Sequence, residues 1–100
     1  MSRVETPLDK LSNRAVDAIE AGRFKQAEQL CKKLLRVYRK APDGHERMAM
    51  LREAQEQFEE AARHYDRLLE MMQKKPREFD PESVQYFTER RDQARAKAKS

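Results

Sequence analysis

Apolar residues recur along this chain at spacings of three and four, the period of helices that bury one face. Leu8, Leu11, Ala15 and Ala18 predict a first helix that starts near Pro7 and Leu8 and ends or turns at Gly22; residues 1–7 read as a frayed arm before it. Phe24, Ala27, Cys31, Leu34 and Tyr38 predict a second helix from about Phe24 to Lys40. Arg36, Arg39 and Lys40 crowd its last turn, where cations complement the helix dipole. Pro42-Asp43-Gly44 is a break. A third helix is expected to begin near Gly44 or His45 and to carry Met48, Ala49 and Leu51. A fourth carries Phe58, Ala61, Tyr65, Leu68 and Met72, and Pro76 closes it. Asp80-Pro81-Glu82 then combines an N-cap residue, a proline at the first helical position and an early acid, so a fifth helix starts there. It carries Val84, Tyr86 and Phe87 before fading into a tail of Arg, Lys and Ala. No run of alternating β-branched or aromatic residues predicts a strand.

The pattern repeats. A shift of 34 residues, without a gap, aligns Ala15 with Ala49, Phe24 with Phe58, Ala27 with Ala61, Leu34 with Leu68, Leu35 with Leu69, Lys40 with Lys74 and Pro42 with Pro76. Cys31 meets Tyr65, a looser match. Helices approach closely where small side chains meet, and Ala15 with Ala27, and Ala49 with Ala61, supply such positions. Phe24 and Phe58 fill space at the turns, Gly22 permits a sharp connection, and the prolines stop each second helix.

The stretch AVDAIEAGRFKQAEQLCKKLL is similar to the core of a tetratricopeptide repeat (TPR): a small residue, a glycine turn, an aromatic, an alanine, then bulky and aliphatic residues. QFEEAARHYDRLLE resembles the second half of the same motif. The resemblance covers about residues 8–76. It implies an all-α, right-handed array of antiparallel helix pairs: repeat one at about 8–42, repeat two at about 43–76, and a capping helix at about 80–98, all in a single domain spanning 8–98. Two departures stand out. Glu56 replaces the turn glycine in the second unit, and Arg52 stands where the family usually has a large apolar residue. Leu51, Ala54, Phe58, Ala61, Tyr65, Leu68 and Met72 also keep an unbroken heptad spacing, so a single helix of about 30 residues over 45–75, as in a coiled-coil hairpin, is the rival reading. A break near Glu56 and Gln57 decides between them.

In a TPR array the first helix of each unit lines a groove. The resemblance therefore assigns a partner-binding face to Ser12, Val16, Ile19 and Glu20 of the first helix, Arg47, Met50 and Glu53 of the third, and Val84 and Phe87 of the fifth. Aliphatic, Met and aromatic residues flanked by charges suit a peptide or helical segment. Family members that clamp a chaperone's C-terminal carboxylate use Lys and Asn there; Ser12, Val16 and Met50 offer too few donors. Self-assembly into a homodimer is the alternative, because two repeats are fewer than the three usually needed for stability.

Composition narrows the function. Charged residues make up 40% of the chain and apolar ones 38%, and 22 basic against 18 acidic residues leave a net charge of +4, too small an excess among mixed charges to signal nucleic acid. The basic tail, with Arg90, Arg91, Arg95, Lys97 and Lys99, reads as the polar outer face of a capping helix before it reads as a phosphate grip. A single cysteine, Cys31, excludes an internal disulfide framework and falls on an apolar stripe, as a small core residue does. His45 and His64 lack a paired-ligand spacing, and His64 is expected to face solvent. With no phosphate loop and no catalytic constellation, the chain is expected to be no enzyme and to need no cofactor or metal. Its N-terminus lacks the apolar core of a signal peptide, so a cytoplasmic location is expected.

Overall fold

A computed structural model describes residues 4–100. Those residues form five helices: α1 (Pro7–Glu20), α2 (Phe24–Val37), α3 (Asp43–Ala54), α4 (Phe58–Lys74) and α5 (Pro81–Ala98), with no strand among them. The arm proposed for residues 1–7 lies partly outside the described residues.

Local chemistry sets the helix starts. Thr6 caps α1: its Oγ1 accepts the Asp9 N–H at 3.0 Å, and Asp9 Oδ2 accepts the Thr6 N–H at 3.2 Å. This reciprocal box uses two groups that would otherwise be unpaired, and such caps are worth about 1 kcal/mol. Asp80 caps α5 with a single bond, accepting the Ser83 N–H at 2.7 Å ahead of Pro81.

The two turns inside the repeats, after α1 and after α3, share one hydrogen-bond pattern. After α1, Arg23 N–H reaches Ala18 C=O at 2.8 Å and Gly22 N–H reaches Ile19 C=O at 3.0 Å. After α3, Gln57 N–H reaches Arg52 C=O at 2.7 Å and Glu56 N–H reaches Glu53 C=O at 2.9 Å. Both are Schellman closures, which need a left-handed residue just past the helix. Gly22 takes it at φ 74°, Glu56 at φ 60°. The chain therefore breaks at Gln55–Gln57, and the single long helix over 45–75 is not formed.

The second helix is shorter than its apolar pattern predicts. It ends at Val37, and Lys40 lies in the following turn. Pro42 disfavours helix at the residue before it, and α3 must return close to α2. A Cβ on Gly44 would sit 2.6 Å from Leu35 Cδ2, so at the first turn of α3 any side chain larger than glycine's would force Leu35 to shift.

Two cores result. Leu11, Ala15, Ala18, Ile19, Ala27, Leu30, Cys31, Leu34, Met48 and Leu51 join α1, α2 and α3. Ala49, Tyr65, Leu68, Leu69 and Met72 form the second, with Phe79, Val84 and Phe87 packed on it. Helix α3 serves both, sending Met48 and Leu51 one way and Ala49 the other. Ala61 and Ala62 cluster with Ala94 of α5, so the small residues of α4 make room for the last helix. Successive helices pack pairwise, and α1 also touches α3, the neighbour relation of a TPR-like array.

Candidate functional site

The face shared by α1, α3 and α5 is crossed by a line of polar contacts. Arg47 of α3 starts it. Its Nε donates to Ser12 Oγ on α1 at 2.9 Å, and its Nη1 donates to Glu46 Oε2 at 2.9 Å and to Met50 Sδ at 3.1 Å. One turn beyond Met50, Glu53 accepts from the Tyr65 hydroxyl and from Arg90 Nη2 of α5, the latter at 2.5 Å. The Tyr65 ring lies 6.2 Å from that of Phe87. Burial, then the bond to Glu53, push the Tyr65 phenol well above its ordinary value, so it stays a donor. The Tyr65 oxygen and Glu53 in turn hold the Arg90 guanidinium charged. Desolvation raises the Glu46 carboxyl, an effect that Arg47 opposes.

Seven of the nine residues assigned to this face keep some exposure: Glu20 is exposed, and Val16, Arg47, Met50, Glu53, Val84 and Phe87 are partly buried. The other two face inward. Ser12 is 2% exposed beneath Arg47, and Ile19 is 8% exposed within the first core. The reason is that α1 packs on both α2 and α3, so its buried arc is wider than one apolar stripe. Met50, Val84 and Phe87 rest partly on the cores, which leaves a shallow face with charged groups between apolar ones.

The basic tail is largely engaged within the chain. Arg90 pairs with Glu53, while Arg91 Nη1 and Arg95 Nη2 meet Asp66 at 3.4 and 2.8 Å. The Lys97 ammonium lies 5.4 Å from the Phe58 ring centroid. These contacts dock α5 on α3 and α4, as a capping helix requires. Arg52, at the position where the family prefers an apolar residue, bridges α2 and α4. Its Nη2 donates to Glu28 at 2.6 Å, its Nη1 to Gln55 at 2.8 Å, and its Nε lies 3.1 Å from Glu60 without hydrogen-bond alignment. The Arg52 bond and charge lower the Glu28 carboxyl.

Three further groups bear on chemistry. Cys31 is fully buried, and burial pushes its thiol up to about 11, so it is an inert core residue. His64 does not face solvent as expected: its Nδ1 lies 3.2 Å from Nδ1 of His45, both rings being partly buried. Nineteen residues separate them, and they stand on consecutive helices, so no local spacing signals the pair. Among the described residues no group of three or more His, Cys, Asp or Glu is placed to hold a metal ion. A cavity of about 380 Å³ opens where α2 and α4 end, lined by Lys40, Pro42, Met71, Lys74, Lys75, Glu78 and Phe79. No described helix is long and apolar enough to cross a membrane.

No curated protein and no solved structure matched the sequence. A family model described as tetratricopeptide repeat matches residues 18–78, more than half of the chain, from the end of α1 past the end of α4. With the five-helix array, the repeated Schellman turns and this match, the chain belongs to the tetratricopeptide repeat family.

Proposed function

We propose that the face of α1, α3 and α5 binds a peptide or helical segment of a protein partner, and that the chain is an adaptor without catalytic activity. Tetratricopeptide repeats as a family mediate protein–protein interaction. The observation that carries the reading is the juxtaposition of Arg47, Glu53 and Arg90 across two helices, with Met50, Val84 and Phe87 partly exposed around them. Fixed charges beside apolar patches orient a segment while its apolar side chains supply contact area. The Arg–Asp66 contacts of α5 weigh against nucleic acid as the main partner, because those guanidiniums are already paired.

The test is capture of a partner from native extract, followed by Val16→Glu and Glu20→Arg variants. Both positions keep some exposure, so the helices should form unchanged, as circular dichroism would show. Loss of capture in either supports the face; undiminished capture in both removes it. The self-assembly alternative draws on exposed Val37 and Tyr86, at 52% and 55%. Light scattering that finds a monomer at micromolar concentration excludes it.

A further inference from the structure

We propose that His45 and His64 form a half-open chelate for a divalent transition metal, with Cu²⁺ preferred over Ni²⁺ and Zn²⁺. The rings stand on separate, packed helices, one in the first turn of α3 and one in α4, with centroids 5.4 Å apart. Their Nδ1 atoms are 3.2 Å apart. With metal–nitrogen bonds of about 2.0–2.1 Å, that separation subtends roughly 100–105° at a shared ion, between square-planar and tetrahedral angles. The scaffold has thus brought the two donors to chelating distance before any ion arrives.

The protonation state suits a ligand pair. Burial lowers both pKa values, assisted by Arg67 at His45 and by the neighbouring His45, Arg52 and Arg67 at His64, while Glu70 and Glu60 act in the opposite sense. Both rings therefore favour the neutral form, which is the form that binds metal. In the metal-free pair one Nδ1 carries the proton that bridges to the other. Chelation needs that proton on the same ring's Nε2, a tautomer shift through solvent with no net release at neutral pH. The two acids offset only part of the repulsion of the two arginines. Water fills the remaining coordination positions, since the protein supplies two donors. Imidazole selects Cu²⁺, Ni²⁺ and Zn²⁺ over Mg²⁺ or Ca²⁺, and the stability order of first-row ions places Cu²⁺ first.

The experiment is calorimetric titration of the whole chain with CuCl₂, NiCl₂, ZnCl₂ and MgCl₂ at pH 7.5, repeated on His45→Gln and His64→Gln. One Cu²⁺ per chain, no Mg²⁺ binding and about a tenfold or greater loss in each variant support the site. Affinity should also fall between pH 7.5 and 5.5, as protons compete for the nitrogens. Equal affinity in wild type and variants, or no binding of any of the three transition ions, overturns it. Should a variant fail to fold, NMR of the wild type decides. Substoichiometric Cu²⁺ must broaden both imidazole signals first, and broadening centred elsewhere overturns the proposal.

Discussion

The two repeats solve the same structural problem with different chemistry. At the turn, repeat one uses Gly22 and repeat two uses Glu56, with the same backbone hydrogen bonds and the same left-handed conformation. A left-handed residue with a Cβ costs about 1–2 kcal/mol more than glycine there. Just before the turn, the difference reverses direction. Ile19 and Cys31 sit in the first core. Their counterparts one repeat later are Glu53 and Tyr65, tied to each other and to Arg90. An apolar pair has become a hydrogen-bonded polar one. The backbone tolerates either because the second solution satisfies its own buried groups, with Arg90 of α5 completing it.

The largest expected effect comes from moving the polar solution into the wrong repeat. Ile19→Glu buries a carboxylate with no partner and should cost about 3–5 kcal/mol in urea unfolding. Glu53→Ile, the reverse exchange, leaves the Tyr65 hydroxyl unpaired and should cost only about 1–3 kcal/mol. Equal losses would contradict this asymmetry. Adding Tyr65→Phe to Glu53→Ile should recover part of that cost, since the phenol is then no longer a donor without an acceptor, although Arg90 still lacks Glu53. A strictly additive double mutant would break the link between them.

Exchanging the turns gives a smaller effect. Gly22→Ala should destabilise by about 1 kcal/mol through backbone conformation alone, because a Cβ there meets nothing within 4 Å. Glu56→Gly should stabilise by up to about 1 kcal/mol, reduced by the greater freedom of glycine in the unfolded chain. A destabilised Glu56→Gly protein would show that the Glu56 side chain contributes something that the turn geometry does not reveal.

The pH response is the smallest and belongs to repeat two. Both histidine pKa values are lowered in the fold, so the unfolded chain takes up protons first as pH falls. Stability should be full above pH 6.5 and decline below it, as pH drops toward the folded values. Urea midpoints at pH 7.5 and 5.5 check this. The difference should shrink in His64→Gln, and an unchanged difference would assign it to other groups.

How much of this was legible follows from how each helix is buried. Helices α2 and α4 each bury one stripe, so their apolar spacing was readable, as was the 34-residue period. Helix α3 is buried on two opposite sides, which leaves no single stripe to read. The same two-sided burial turned Ser12 and Ile19 inward. The turn at Gly22 announced itself; the one at Glu56 could not, because glutamate seldom adopts φ 60° and the heptad spacing ran straight through it. The end of α2 at Val37 goes with the approach of Gly44 to Leu35, a tertiary contact that no local spacing signals. The candidate face was reached through family resemblance. The bonds that organise it, Arg47 to Ser12 and Tyr65 to Glu53 to Arg90, join residues from different helices and leave no local signal.

The functional account rests on partners meeting the first helices of the repeats and not the second ones. Photo-crosslinking tests it directly. A benzoyl-phenylalanine placed at Val16 or Glu20 on α1 is compared with one at Lys32 on α2 or Arg63 on α4, the last three of these sites being exposed. Adducts with the captured partner from Val16 and Glu20 alone are the predicted result. Adducts from Lys32 or Arg63, with none from α1, would contradict it.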